Sequence, residues 1–181
     1  MTLFDIRGLA HALIMTALLP LVAAQACEAG GFDIGAGAGM NYDGQNVNQG
    51  FIYVGHGWDS EKYGFLTYRL EGSLDLIGNG SSLFIWTILP AARLHVVTES
   101  AWRPFFDIGA GVSLKHGNLV GHRHLDGPIA FTLMDAIGVE YRSAGGRTYS
   151  VSTRFKHISN SGLYKRNQGF NAQYVVLSIG F

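Results

Sequence analysis

Near the end of the chain, Tyr149, Val151, Thr153 and Phe155 form a row of every-second residues whose next two members are His157 and Ser159. Alternation with a period of two marks a β-strand, in which residues i and i+2 share a face with their Cα atoms about 6–7 Å apart. At that spacing a histidine nitrogen can hydrogen-bond a serine hydroxyl and take its proton, which turns the serine into a nucleophile toward an ester carbonyl. The plain alternative is a strand that becomes polar as it leaves an apolar environment, because a bare His-x-Ser is a short motif.

The rest of the 181-residue chain must supply a sheet that holds this row. Leu66, Tyr68, Leu70, Leu74 and Leu76 alternate with Thr67, Arg69, Glu71, Ser73 and Asp75, and Val175, Leu177, Ile179 and Phe181 alternate with Tyr174, Val176, Ser178 and Gly180. Approximate strands are expected at 32–41, 50–58, 63–77, 82–96, 104–115, 129–142, 147–159 and 170–181. Hydrophobic residues make up 48% and charged residues 14% of the chain, against roughly 25% charge in a soluble domain. The mature part nevertheless contains no long uncharged apolar run of the kind a transmembrane helix needs. Apolar composition without apolar runs is what a membrane β-barrel produces, since each strand shows lipid only every second residue. The strands are long enough for a tilted crossing, Trp58 and Trp102 lie beside turns where interfacial aromatics sit, and Phe181 closes an alternating strand. The fold expected is all-β: an eight-stranded antiparallel transmembrane barrel in the outer membrane of a Gram-negative cell.

An even strand number puts both barrel ends on one side, expected to be the periplasm. Asp59–Lys62, Thr98–Arg103 and Ser143–Gly146 then read as periplasmic turns. The stretches 42–49, 116–128 and 160–169 read as longer outer loops, with Gly78–Ser81 a short outer one. The segment Phe32-Asp33-Ile34-Gly35-Ala36-Gly37 recurs as Phe106-Asp107-Ile108-Gly109-Ala110-Gly111, on strands expected to run the same way. In both, Phe, Ile and Ala should face lipid, and the glycines should leave lumen space for larger side chains of other strands. Arg69, Glu71, Asp75, Arg93, Asp107, Glu140 and Arg154 fall on the inward face. Buried charges must pair, so they read as a structural network in a plugged lumen.

Residues 1–26 read as a cleavable signal peptide, with Arg7 before the largely apolar stretch Leu9 to Ala24 and small residues at Ala24 and Ala26. Residues 27–181 form the barrel domain. Cys27, the single cysteine, excludes an internal disulfide; it stands where a lipoprotein would be acylated, though Ala24 and Gln25 fit that motif poorly. Thirteen Lys and Arg balance thirteen Asp and Glu, giving no argument for nucleic acid.

The stretch His157-Ile158-Ser159-Asn160-Ser161-Gly162-Leu163, followed by Asn167-Gln168-Gly169, resembles the catalytic segment of PagL-type lipid A 3-O-deacylases. Those enzymes are eight-stranded outer-membrane barrels that carry a His-x-Ser-Asn motif on the outer wall. Pro104-Phe105-Phe106-Asp107-Ile108-Gly109-Ala110-Gly111-Val112 resembles the same family's fifth strand. The resemblance implies a serine esterase that hydrolyses the 3-O-linked 3-hydroxyacyl chain of lipid A, without a cofactor. Lipopolysaccharide and the outer-membrane lipid are its implied partners, and a homodimer is left open. It implies Ser159 as nucleophile and His157 as general base, with Asn160 and the Gly162 N–H stabilising the oxyanion. The family's third member is a glutamate at the position of Asn171, where an amide can orient the imidazole but stabilises its charge less than a carboxylate would.

Asp135 is the alternative third member. It interrupts the outward row Phe131, Leu133, Ile137, Val139 and Tyr141, and counting back through the Ser143–Gly146 turn sets His157 opposite about Thr132. His116, His122 and His124 lack the carboxylate or cysteine companions of a metal site, and Lys115 and Arg123 beside them are expected to meet lipid phosphates. A different outer-membrane lipid esterase, such as a phospholipase, and a non-enzymatic barrel with binding loops are the competing readings.

Overall fold

The computed structural model describes residues 30–41, 47–78, 82–120 and 122–181. The expected signal peptide, Cys27 and most of Gly78–Ser81 lie outside them. The described residues form ten strands: β1 (Gly30–Asn41), β2 (Asn48–Asp59), β3 (Leu66–Gly78), β4 (Ser82–His95), β5 (Trp102–His116), β6 (Leu119–Val120), β7 (Arg123–His124), β8 (Ile129–Arg142), β9 (Thr148–Ser159) and β10 (Phe170–Gly180). Eight of them close an antiparallel barrel in the order β1-β10-β9-β8-β5-β4-β3-β2, while β6 and β7 pair as a separate two-stranded hairpin. Phe181 N donates to Phe32 O at 2.8 Å beside the β1–β10 seam.

The barrel is inside-out relative to a soluble protein. Ile108, Leu133, Ile137, Val175 and Leu177 are all more than half exposed on the outer wall, while Glu71, Asp75, Asp107, Arg154 and Lys156 are almost fully buried inside. Alternation produces both sets from the same strands, and only a lipid surround makes the outer set favourable. The buried charges pair as expected. Arg93 donates to both carboxylate oxygens of Asp107 at 2.7 and 2.8 Å and lies 3.3 Å from Glu140; Arg69 binds Asp33 and Arg154 binds Glu71. Lys156, an inward residue not expected among these charges, lies 2.9 Å from Asp75, whose other oxygen accepts the Tyr174 hydroxyl at 2.9 Å.

Above these pairs, toward the long loops, the lumen turns apolar. Phe51, Ile85, Ile158 and Phe170 fill it, and Leu125 joins them from the 116–128 loop. The paired glycines of the repeated segment leave the expected room: a side chain at Gly35 would run into the Tyr53 ring and one at Gly109 into Leu89.

One expectation of register fails by a residue. His157 pairs with Leu133, not Thr132. The turn contains five residues rather than four, because Arg142 pairs with Thr148 and Ser143 N donates to Arg147 O.

Candidate active site

β9 carries His157 and Ser159 outward at its loop end, both half-buried, while Lys156 and Ile158, which alternate with them, are fully buried in the lumen. Their neighbours follow from register. Ser159 pairs with Phe131 and His157 with Leu133 on β8, and on the other side His157 pairs with Asn171 on β10. Asn171 Oδ1 lies 2.7 Å from His157 Nδ1, a hydrogen bond formed directly across the ladder. With the amide oxygen accepting, the imidazole proton sits on Nδ1 and the lone pair on Nε2. Among the hydrogen bonds of the described residues, none joins Ser159 Oγ to His157, and such bonds often tighten only when substrate is bound.

Asp135 pairs with Phe155, one outward row farther from the loops than His157. It is exposed on the lipid-facing wall, and the contact to Nδ1 belongs to Asn171.

After Ser159 the chain turns sharply. Ser161 at φ 50° and Gly162 at φ 79° occupy the centre of a turn closed by Leu163 N donating to Asn160 O at 2.9 Å. Two consecutive left-handed residues define a type I′ geometry, which glycine accepts without the cost that serine bears. Asn160 is fully buried and holds this turn from within. Its Oδ1 accepts Gly162 N at 3.0 Å, and its Nδ2 donates to Asp126 O and Arg166 O, both at 3.0 Å. Both amide hydrogens of Asn160 and the Gly162 N–H are therefore engaged, leaving none free for an oxyanion in this conformation.

Two loop residues that the sequence reading did not single out border the site. Asn167 Oδ1 accepts Asn160 N, immediately after the serine, at 2.9 Å. Gly169 lies beside both catalytic candidates: a Cβ there would be 3.4 Å from His157 Cε1 and 3.6 Å from Ser159 Cβ. Their signal was present in the Asn167-Gln168-Gly169 run, but their contacts come from a loop without periodicity.

Of the three loop histidines, none belongs to a group of three His, Cys, Asp or Glu able to hold a metal among the described residues. Lys115 does not reach outward to phosphates as expected. It is buried and its ammonium donates to Gly117 O, Asn118 Oδ1 and Leu125 O, tying the loop to the barrel rim. Asp126 accepts from Arg166 Nε at 3.1 Å, and that hydrogen bond, with the nearby guanidinium charge, holds its carboxyl below the usual carboxylate range.

The inside-out barrel and the polar His–Ser–Asn cluster on its lipid-facing wall define the class: an outer-membrane β-barrel whose candidate chemistry faces the bilayer. The sequence matches the lipid A 3-O-deacylase (PagL) family over residues 34–179, and the chain belongs to that family. It is an outer-membrane lipid A 3-O-deacylase, an ester hydrolase. Among solved structures, the outer membrane enzyme PagL is similar at TM-score 0.69 and 23% identity, covering 81% of this chain and 97% of its own. Neisserial surface protein A (NspA) is similar at TM-score 0.63 and 12% identity, covering 83% of this chain and 94% of its own. No curated protein matches the sequence.

Proposed function

We propose that Ser159 is the nucleophile of a serine esterase that releases the 3-hydroxyacyl chain from position 3 of lipid A, with His157 as its base and Asn171 as the residue that orients the base. The observation that carries this reading is the 2.7 Å contact between His157 Nδ1 and Asn171 Oδ1, because it leaves Nε2 basic on the face that Ser159 shares. Nε2 takes the hydroxyl proton as Oγ attacks the ester carbonyl, then returns it to the departing sugar oxygen. The acyl-serine is hydrolysed by water, with the same imidazole as base, and the free 3-hydroxy fatty acid leaves.

The tetrahedral oxyanion needs preset donors, each typically worth a few kcal/mol. Asn160 contributes by holding the turn, since its amide hydrogens are already bonded to Asp126 O and Arg166 O. The Gly162 N–H can serve by turning from Asn160 Oδ1 toward the oxyanion. Asn167 is the second donor, its oxygen anchored by Asn160 N and its Nδ2 hydrogens left for the substrate. A site on the outer wall meets its lipid laterally, so the substrate need not leave the membrane. The long loops beside it lie on the cell exterior, where lipid A is found.

The test is an assay of the purified, folded protein on lipid A and, separately, on glycerophospholipid. Release of 3-hydroxy fatty acid from lipid A alone supports the proposal. Cleavage of glycerophospholipid at a comparable rate points to a broader lipid esterase.

A further inference from the structure

Gly169 ends the 160–169 loop in the left-handed region, at φ 53°. The Cβ it lacks would sit 3.3 Å from Ile158 O and 3.4 Å from His157 Cε1. Its backbone therefore passes beside the imidazole edge between the two ring nitrogens with room for barely a methyl group. Two residues later, Asn171 holds Nδ1. A single short stretch of chain thus borders the ring at Gly169 and holds its Nδ1 through Asn171.

That stretch is held by a different loop. Arg123, in the β6–β7 hairpin, donates from Nη1 to Gln168 O at 3.0 Å and to Gly169 O at 3.3 Å. Beside it His124 N donates to Gln168 Oε1 at 2.6 Å, Gln168 N donates to His124 O at 3.1 Å, and Leu125 bridges to Asn167. We propose that Arg123 is a positioning residue for catalysis: by gripping the Gln168 and Gly169 carbonyls, it fixes the stretch from Gly169 beside the ring to Asn171 on Nδ1 and keeps the basic nitrogen directed toward Ser159. A guanidinium suits the task because it offers rigid, divergent N–H donors, whereas a lysine is a single mobile point charge. The inference rests on Ser159 and His157 being the catalytic pair. It gives Arg123 a different role from the phosphate contact expected from the sequence.

The test compares Arg123→Ala, Arg123→Lys, Gly169→Ala and Ser159→Ala with the unaltered protein on lipid A in mixed micelles, with heat-modifiable gel migration confirming each barrel. A displacement of about 1 Å at a reacting group can lower a rate by roughly a hundredfold. Arg123→Ala should therefore lose kcat by about tenfold or more with little change in KM, and added ethylguanidinium should restore part of it. Arg123→Lys should fall between, and Gly169→Ala should also lower kcat. Unchanged kcat in Arg123→Ala, or a rise in KM alone, overturns the proposal, the latter marking a substrate phosphate contact instead. If Arg123→Ala does not fold, the Lys and Gly169→Ala variants decide by the same criteria. Full activity in Ser159→Ala removes the catalytic reading itself, whereas an inactive Ser159→Ala beside a fully active Arg123→Ala removes only the role given to Arg123.

Discussion

His157 and Asn171 face each other across the β9–β10 ladder with Nδ1 and Oδ1 2.7 Å apart, so the imidazole is oriented by an amide and not by a carboxylate. The amide fixes the tautomer but adds no negative charge to offset the imidazolium that the proposed proton transfer from Ser159 would form. A hydrogen bond to a charged group is worth about 1.5–3 kcal/mol, so Asn171→Ala should slow deacylation by roughly 10- to 100-fold. Asn171→Glu should retain or raise the rate. Asp135→Asn, one row away and paired with Phe155, should leave kcat/KM unchanged. A crippled Asp135→Asn beside a silent Asn171→Ala would reverse the assignment.

Ser159 and His157 act as one unit in this mechanism. Each alanine variant should abolish release of 3-hydroxy fatty acid, and the double variant should be little slower than either single one. Steady-state rates of the three variants check this, and losses that multiply would show independent roles.

Asn160 and Asn167 separate loop architecture from chemistry. Asn160→Asp keeps the acceptor for Gly162 N but loses the donors to Asp126 O and Arg166 O. It should loosen the 160–169 loop, seen as faster limited proteolysis there. Asn167→Ala should leave the barrel's denaturation midpoint nearly unchanged while lowering kcat by roughly 10²-fold, the usual loss of an oxyanion donor. An Asn167→Ala variant with full kcat would remove that residue from the oxyanion site.

Much of this was legible from alternation alone. Parity placed Arg69, Glu71, Asp75 and Arg154 inside and His157 and Ser159 outside, because a two-residue period leaves no other choice once one face is lipid. Parity also contained the correction to register: cross-strand partners share a face, so an outward His157 must oppose outward Leu133 and not inward Thr132. The grip of Arg123 on Gly169 left no comparable trace. It joins residues 46 positions apart through side chain and carbonyl, and loops carry no period from which such a contact can be read.

The lumen makes its own prediction. Lys156 and Asp75 are both fully buried and 2.9 Å apart, so Lys156→Ala leaves a carboxylate without its partner and should cost about 3–5 kcal/mol. Replacing the pair together, as Lys156→Met with Asp75→Leu, and adding Tyr174→Phe so that no hydroxyl is stranded, should recover most of that loss. Urea midpoints of the detergent-folded variants measure both, and equal midpoints for the single variant and the unaltered protein would show that the pair is not needed.

Acid should loosen the outer loops at a defined point. Asp126 is held below its usual range by the hydrogen bond and charge of Arg166. A depressed folded-state value means that the tether is fully present above the ordinary carboxylate range and is lost as pH falls through the lowered value. Hydrogen exchange in residues 122–126 and 166–168, corrected for intrinsic rates, should rise on going from neutral pH to about pH 3, and Asp126→Asn should remove most of that change.

The central claim, that Ser159 is the nucleophile, is tested most directly by a long-chain fluorophosphonate, which forms a stable phosphonyl ester with an activated serine. Peptide mass spectrometry of the labelled, folded protein should find the adduct on Ser159, with labelling lost in His157→Ala. An adduct on another residue that abolishes activity, or full deacylation of lipid A by Ser159→Ala, would contradict the account.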